Sequence, residues 1–182
     1  MQKRAHCRRV FLCSPQLNKL KTLLNYNLTY YINILPYLIT KEHVMTSYVE
    51  HANITVSSLH RAIAFLQAAM PDFSIRGEGS NEERAWCHIG TDTTYIALQE
   101  VVIDKPVERL PYYQLGVNHI GLVVEDVTRV AENLKAAGYE ETIFDESHPS
   151  RKRVYFRDGD SLEWEFIEYL TEDMNSRNDY AL

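Results

Sequence analysis

The chain of 182 residues is 45% hydrophobic and 24% charged, which is typical of a globular protein with a substantial core. Its formal net charge of -6 argues against nonspecific binding to nucleic acid, which requires a cluster of Lys and Arg on the surface. The three cysteines have unrelated spacings, which favours a reducing, cytoplasmic environment over a disulfide framework or a zinc ribbon.

Residues 1–44 differ in composition from the rest of the chain, because they contain seven Lys and Arg residues and a single acidic residue, Glu42. Three asparagines and Pro36 interrupt an apolar stretch from Leu23 to Ile39, so we expect neither stable membrane insertion nor a signal peptide. The alternative is an amphipathic segment that lies on a membrane surface. The preferred hypothesis is that Met45 is the true start and that the residues before it have little structure.

The pattern of residues 48–104 predicts a first module with the order strand, helix, strand, strand, strand. Polar and apolar residues alternate through Tyr48–Val56, which predicts a strand. Ser57 and Ser58 can cap the helix that follows, and Pro71 lies at its end. Three strands are then predicted over 73–75, 84–89 and 94–102, between turns that contain Gly and Asp.

A linker, residues 105–115, separates this module from a second one over residues 116–170, which has the same order. Its first strand is predicted over 117–124, and its helix begins near Asp126 and ends at Gly138. The last three strands are predicted over 142–144, 152–157 and 162–169. The polar tail, residues 171–182, is expected to fray or to lie over the surface.

The two modules carry the same short motif. His51–Val56 and His119–Val124, 68 residues apart, both read His-x-x-Φ-x-Val, where Φ is Ile or Leu. A supersecondary unit that is used twice predicts two similar halves with a shared surface. Because a histidine opens a strand in each half, the repeat predicts a symmetric site between the halves.

Three residues in this repeat could bind a metal ion. Strand alternation directs His51, His119 and Glu165 to the sheet faces opposite the helices, where a cleft would form. Two neutral imidazoles and one carboxylate suit divalent Fe, Mn, Ni or Zn and leave coordination positions open for a substrate. Each of these residues taken alone is more often structural, but the combination favours a metal site.

The repeat also indicates what surrounds this site. The 68-residue offset pairs Glu165 with Ala97, which cannot bind a metal, so we expect three protein ligands and water. Gln99 lies two residues further along the same face and could supply a weak oxygen ligand or bind substrate. Tyr95, on that face as well, is expected to line the cleft.

A basic run lies near the start of the penultimate strand. His148, Arg151 and Arg153 could anchor an anionic substrate, and Arg153 is the one we retain as a candidate; a solvated loop is the alternative. His88 is expected to lie in the core or in the wall of the cleft rather than to bind a metal.

These residues resemble the vicinal-oxygen-chelate superfamily, which includes glyoxalases, bleomycin-resistance proteins and extradiol dioxygenases. Its βαβββ modules typically begin with His-x-x-Φ-x-Val, and the last strand often follows an Asp-Pro-Asp-Gly turn, with the metal-binding Glu four residues after the Gly. Here the turn reads Asp158-Gly159-Asp160-Ser161, and Glu165 follows four residues later. The resemblance covers residues 48–169.

The resemblance implies an α+β fold in which two tandem βαβββ modules form a curved sheet around a metal and substrate cleft. It assigns His51, His119 and Glu165 to the metal positions. Because Ala97 stands where glyoxalase I-like lyases have a fourth ligand, the three-ligand transferases of fosfomycin resistance and the extradiol dioxygenases are the more similar members.

The function implied is that of a divalent-metal-dependent enzyme, of the lyase/isomerase or the dioxygenase type, which acts on a small substrate chelated through adjacent oxygens. Glu165 is then the candidate catalytic base. Two alternatives stay open: a metal-free binding protein of the bleomycin-resistance type, and a structural dimer module with a degenerate site. A homodimer is expected, since association covers open sheet edges, and the metal site is either within one chain or shared between subunits.

Overall fold

The computed structural model describes residues 47–103 and 109–181. From Tyr48 onward these residues belong to one compact unit, Tyr48–Leu182, and the predictions made for residues 1–44 lie outside the described residues. The helices and strands of the described part are, in chain order, β1 (His51–Val56), α1 (Leu59–Ala69), β2 (Ser74–Ser80), β3 (Ala85–Gly90), β4 (Tyr95–Glu100), β5 (His119–Val123), α2 (Val127–Ala136), β6 (Glu141–Asp145), β7 (Arg151–Arg157), β8 (Glu163–Tyr169) and α3 (Met174–Arg177).

Each module forms its own four-stranded mixed sheet. The strand orders are β1-β4-β3-β2 and β5-β8-β7-β6. In both sheets the first and last strands of the module are parallel and the other neighbours are antiparallel. Even the irregularities correspond, because β2 shifts register between Ile75 and Gly77 and β6 shifts between Glu141 and Ile143. The predicted α+β fold with two tandem βαβββ modules is confirmed.

The second strand of the first module is longer than its sequence pattern predicts. The prediction ended at Ile75, whereas β2 continues to Ser80. Gly77 and Gly79 lie in this extension, and glycine weakens a strand signal because it has no side chain to pack. The extension has a consequence for the site, because both glycines lie beneath the ring of Trp86.

The ends of the two long helices follow sequence signals. The side chain of Ser58 accepts a hydrogen bond from the backbone N–H of Arg61 at the start of α1. At the start of α2 the carboxylate of Asp126 accepts two hydrogen bonds from backbone N–H groups of the first turn. After α2, Gly138 has φ +89°, in the left-handed region that glycine adopts without strain.

One hydrophobic core joins the two modules. Phe65 of α1 contacts Tyr139, which follows α2, and also reaches Trp164 and Phe166 of β8, with ring centroids 4.8 to 6.4 Å apart. Burial of these rings stabilises the pairing of the modules through the hydrophobic effect. The opposite faces of the sheets, which carry the candidate site residues, point away from this core.

A polar contact reinforces the same pairing. The carboxylate of Asp160, in the turn before β8, accepts hydrogen bonds from the backbone N–H (2.8 Å) and the hydroxyl of Ser57, which precedes α1. The guanidinium of Arg61 donates to the Ser57 hydroxyl at 2.7 Å and lies 3.9 Å from Asp160. The turn of the second module is thus joined to the start of the first helix.

The C-terminal tail lies over the surface of the second module. The guanidinium of Arg151 donates to the carbonyls of Arg177 and Asp179, and a ring nitrogen of His148 lies 3.1 Å from the Asp179 carbonyl. The tail was expected either to fray or to lie over the surface, and the second of these describes the residues observed. Among the described residues, no helix is long and apolar enough to cross a membrane.

Candidate metal and substrate site

Strand register aligns the two modules residue by residue. His51 pairs with Tyr95 across β1 and β4, and His119 pairs with Glu163 across β5 and β8. Two residues further along, Asn53 faces Ala97, whereas Gly121 faces Glu165. The 68-residue offset therefore holds through these strands, and Ala97 occupies the position that corresponds to Glu165.

In the second module, His119 and Glu165 lie side by side. The Nε2 atom of His119 is 3.1 Å from Oε2 of Glu165, whose residue is only 8% exposed. The other carboxylate oxygen accepts a hydrogen bond from the hydroxyl of Tyr155 on β7. Burial, and then the hydrogen bond to Glu165, raise the pKa of Tyr155, so this phenol stays a hydrogen-bond donor.

Tyr112, in the segment between the modules, fixes the other side of the imidazole. Its hydroxyl donates to Oε2 of Glu163 at 2.8 Å and lies 2.9 Å from Nδ1 of His119. A phenol has one hydrogen, so the second contact requires Nδ1–H of His119 as the donor. In a neutral imidazole this hydrogen-bond network assigns the proton to Nδ1 and leaves a lone pair on Nε2.

The contact between His119 and Glu165 is consequently favourable only when a cation lies between the two atoms. With the proton on Nδ1, both Nε2 of His119 and Oε2 of Glu165 offer lone pairs, and they are only 3.1 Å apart. Either a proton or a metal ion must lie at this point to make the approach favourable. A hydrogen bond from the second ring nitrogen to a neighbouring group is also what orients metal-binding histidines in general.

Access to this pair is left open by a glycine. A Cβ at Gly121 would lie 3.6 Å from Oε2 of Glu165 and 3.5 Å from a methyl of Ile167. The first module has Asn53 at the corresponding position. The absence of a side chain therefore leaves room for a ligand directly beside the carboxylate.

The outward face of the first module is aromatic rather than acidic. His51 stacks on Tyr95 with ring centroids 4.8 Å apart, and His88 lies 4.8 Å from the same ring. Nδ1 of His51 is 3.1 Å from Oε2 of Glu50. Ala97 is buried, with Asn53 and His88 as its cross-strand neighbours. His88, which was expected in the core or in the wall of the cleft, lies on this outward face beside Tyr95.

The three predicted metal ligands are not gathered into one cluster. Over residues 47–103 and 109–181 the structure contains no group of three or more His, Cys, Asp or Glu side chains that could hold a metal ion. His119 and Glu165 are in contact, whereas His51 lies on the outward face of the other module.

The remaining candidates have protein partners. Gln99 accepts a hydrogen bond from the guanidinium of Arg84 at 3.2 Å. Arg153 forms an ion pair with Asp145 on β6. Hydrogen bonds from Ser147, and then from Arg153, lower the pKa of Asp145 to about 2, so the pair is charged at neutral pH. Tyr112 and Tyr155 could not be predicted from the sequence, because no motif or spacing distinguishes them from other tyrosines of the chain.

The fold and the pairing of a strand-opening histidine with a carboxylate on the parallel neighbouring strand define a protein of the vicinal-oxygen-chelate class. The sequence profile of the glyoxalase/bleomycin resistance protein/dioxygenase superfamily matches residues 48–166. The chain belongs to this superfamily, as the sequence analysis predicted. A second profile, for a domain of unknown function (DUF4922), matches residues 2–83.

Solved structures support the same fold. A glyoxylase/bleomycin resistance protein/dioxygenase domain from Frankia sp. EAN1pec is 22% identical, with a TM-score of 0.58 over 69% of this chain and 99% of that one. The fosfomycin resistance protein FosX from Listeria monocytogenes, in complex with Mn(II) and sulfate, is 20% identical, with a TM-score of 0.56 over 74% of this chain and 100% of that one.

A third structure is the trypanothione-dependent glyoxalase I of Leishmania major. It is 18% identical, with a TM-score of 0.55 over 68% of this chain and 87% of that one. No curated protein sequence matches the chain.

Proposed function

We propose that this protein is a divalent-metal-dependent enzyme, of the lyase/isomerase or the dioxygenase type, that acts on a small substrate chelated through adjacent oxygens. The observation that carries the proposal is the 3.1 Å approach of His119 Nε2 to Glu165 Oε2, with the proton of the imidazole assigned to Nδ1. FosX, a relative in fold, binds Mn(II). The ligands proposed are His119, Glu165 and His51, and the ion is Fe, Mn, Ni or Zn.

Two of the three proposed ligands are close enough together to bind one such ion. His119 and Glu165 are already adjacent, and each is held from behind by a phenol, Tyr112 for the imidazole and Tyr155 for the carboxylate. When bound, a divalent cation would supply Lewis-acid stabilisation of the negative charge that develops on a substrate oxygen. The ordered hydrogen bonds behind both ligands reduce the reorganisation that binding requires.

The third ligand, His51, is proposed to come from a second copy of the chain. One core pairs the helix-bearing faces within a chain, which leaves both outward faces open. A twofold dimer that sets the first module of one copy against the second module of the other would join His51 to His119 and Glu165 twice. Within the described residues β1 and β5 each pair with one strand only, and association would also cover these edges.

A further proposed role of the Glu165 carboxylate is that of a general base. Glu165 is nearly buried, and Gly121 leaves the space beside its Oε2 atom free. A substrate C–H next to a carbonyl, bound in this space, could transfer its proton to the carboxylate. Tyr155, which donates to the other oxygen, would keep the carboxylate oriented during the transfer.

Metal content tests this proposal. The full-length chain and its His51→Ala, His119→Ala and Glu165→Ala variants are incubated with each of the four ions, desalted and measured by mass spectrometry. His60→Ala is the matched control, because His60 is an exposed histidine on α1. We expect one metal ion per chain in the wild type and in His60→Ala, and loss of the metal in the other three variants. The ion found then selects the assay: catechol cleavage for Fe, a glyoxalase reaction for Ni or Zn, thiol transfer for Mn.

Absence of metal in the wild type with all four ions would contradict the proposal. It would favour the second candidate, a metal-free protein that binds a small molecule. The observation on which that candidate depends is that phenols already bind both carboxylates without a metal: Tyr112 donates to Glu163, and Tyr155 donates to one oxygen of Glu165.

A further inference from the structure

The first module presents an exposed aromatic ring, that of Trp86, which is not one of the predicted metal or substrate ligands. The indole of Trp86 lies across β2, with ring atoms 3.7 Å from where a Cβ of Gly77 would be. At Gly79 a Cβ would approach Nε1 of Trp86 to 2.9 Å, closer than a real side chain permits. The two glycines therefore allow one face of the ring to rest on the strand backbone. The residue nevertheless remains 37% exposed.

This surface is continuous with the rings beside His51. The ring of His88 lies 4.9 Å from that of Trp86 and 4.8 Å from that of Tyr95. Tyr95 in turn stacks on His51, one of the proposed metal ligands. A planar group bound on Trp86 would thus lie at one end of a row of rings that leads to the proposed metal position.

Two arginines give the same surface a positive charge. The guanidinium of Arg76, at the bulge of β2, lies 4.4 Å above the ring of Tyr95. Arg84 reaches across to Gln99, the cross-strand neighbour of Trp86. Neither arginine forms an ion pair with a carboxylate in the described part of the chain, although the protein as a whole has a net charge of -6.

The corresponding place in the second module is closed. The cross-strand pair Gly79 and Trp86 is replaced there by Asp145 and Arg153, which form an ion pair. Thr142 stands at the bulge position of Arg76. The open ring and the uncompensated charge are therefore specific to the first module.

We propose that Trp86, Arg76 and Arg84 form a subsite for a planar aromatic ring that carries an anionic group, such as an aromatic carboxylate. The ring stacks on the exposed face of the indole, and the guanidinium groups bind the anion. A role for this ligand as the substrate rests on the proposed function, whereas the subsite itself rests on the geometry of the first module.

The experiment follows the two indole N–H signals of the full-length chain by NMR, with 15N-labelled tryptophan. The chain has only two tryptophans, and Trp164 is buried, with its Nε1–H bonded to Asp158, so it serves as an internal reference. The probe is benzoate. Two matched probes each lack one feature: cyclohexanecarboxylate has the charge without the aromatic face, and benzyl alcohol has the ring without the charge.

The expected result is a saturable shift of the Trp86 signal with benzoate and none of the Trp164 signal. Both matched probes should bind about two- to tenfold more weakly. Arg84→Gln should weaken benzoate binding about two- to fivefold and leave benzyl alcohol unchanged. Arg84 is a surface residue, so this variant tests the charge without endangering the fold. Equal binding of the three probes, or a Trp86 signal that does not move, would overturn the subsite.

The same titration with Glu165→Ala separates the two proposals. Benzoate binding that persists in this variant while metal is lost supports a subsite independent of the metal ligands. A wild type that binds metal but shows no benzoate-induced shift of Trp86 overturns the subsite and leaves the metal proposal standing. A wild type that binds no metal but still discriminates among the probes supports the subsite and contradicts the proposal of a metal-dependent enzyme.

Discussion

At the scale of single residues, the most informative contact is that of Tyr112 with His119. The phenol relays a hydrogen bond from Nδ1 of the imidazole to Glu163, and it comes from the segment between the modules. Burial, and then the hydrogen bond to Glu163, raise the pKa of Tyr112, so it remains a neutral donor at physiological pH. The connecting segment thus contributes directly to the site.

Tyr112→Phe should therefore weaken metal binding while leaving the fold intact. Loss of a hydrogen-bond partner behind a metal-binding histidine typically costs about 10- to 100-fold in affinity. The dissociation constant is measured by competition with a chelator of known affinity. Tyr113→Phe is the control, because the neighbouring tyrosine is 89% exposed and has no contact with the site. Equal affinities in the two variants would show that Tyr112 does not position His119.

Gly121 should be intolerant of a branched side chain. A single added methyl lies at ordinary contact distance from Glu165 and Ile167, so Gly121→Ala should retain metal. The γ-methyl groups of Gly121→Val would extend over the carboxylate and block the ion. Metal content and the thermal midpoint of unfolding are measured together; a valine variant that binds metal as the wild type does would place the ion elsewhere.

At the scale of helices and strands, the two modules differ in how their last turns contact the other module's helix. The turn before β8 holds Asp160 against Ser57 at the start of α1. The symmetry-related residues are Asp92, in the turn before β4, and Glu125, before α2. Two acidic residues cannot form this contact with each other, and Glu125 instead pairs with Arg129 of its own helix. One half of the pseudosymmetric interface is bonded and the other is not.

Asp160→Ala should lower the free energy of unfolding by about 1–2 kcal/mol, because it leaves the Ser57 N–H and hydroxyl without their acceptor. Asp92→Ala, the symmetry-matched control, should change it by less than about 0.5 kcal/mol, as expected for an exposed residue. Urea unfolding followed by circular dichroism measures both. Equal destabilisation would mean that the contact between the turn and the helix contributes nothing specific.

At the scale of the whole molecule, the decisive question is whether one chain or two complete the proposed metal site. The proposed dimer joins His51 of one copy to His119 and Glu165 of the other. Such an arrangement predicts complementation, since a mixed dimer of His51→Ala and Glu165→Ala subunits has one site with both changes and one with neither.

The two variants, each devoid of metal alone, should regain it when they are unfolded together and refolded. Random pairing gives mixed dimers in half of the molecules, each with one intact site, hence about a quarter of the wild-type metal content. The control is a mixture of His119→Ala with Glu165→Ala: both residues come from the same subunit, so each site of the mixed dimer lacks one ligand and no metal should return. Failure of the first mixture would favour a site within one chain, reached by movement of the modules.

The sequence by itself determined the fold and the equivalence of the modules. The repeated His-x-x-Φ-x-Val motif, the alternation of strand residues and the capping signals are local, because each depends on residues within a few positions of one another. For that reason the βαβββ order, the helix ends and the alignment of Ala97 with Glu165 could be predicted. The limits of β2 could not, because Gly77 and Gly79 lack the side chains that reveal a strand.

The tertiary structure alone decided which side chains meet. Tyr112 and Tyr155 reach the carboxylates through contacts that depend on how residues 109–118 lie beside β5 and β8 and on the register of β7 against β8. Arg153, chosen from the sequence for its charge, pairs with Asp145 because β6 and β7 are neighbours. Such contacts join residues far apart in the chain, and a pattern of local spacing carries no information about them until packing brings the strands together.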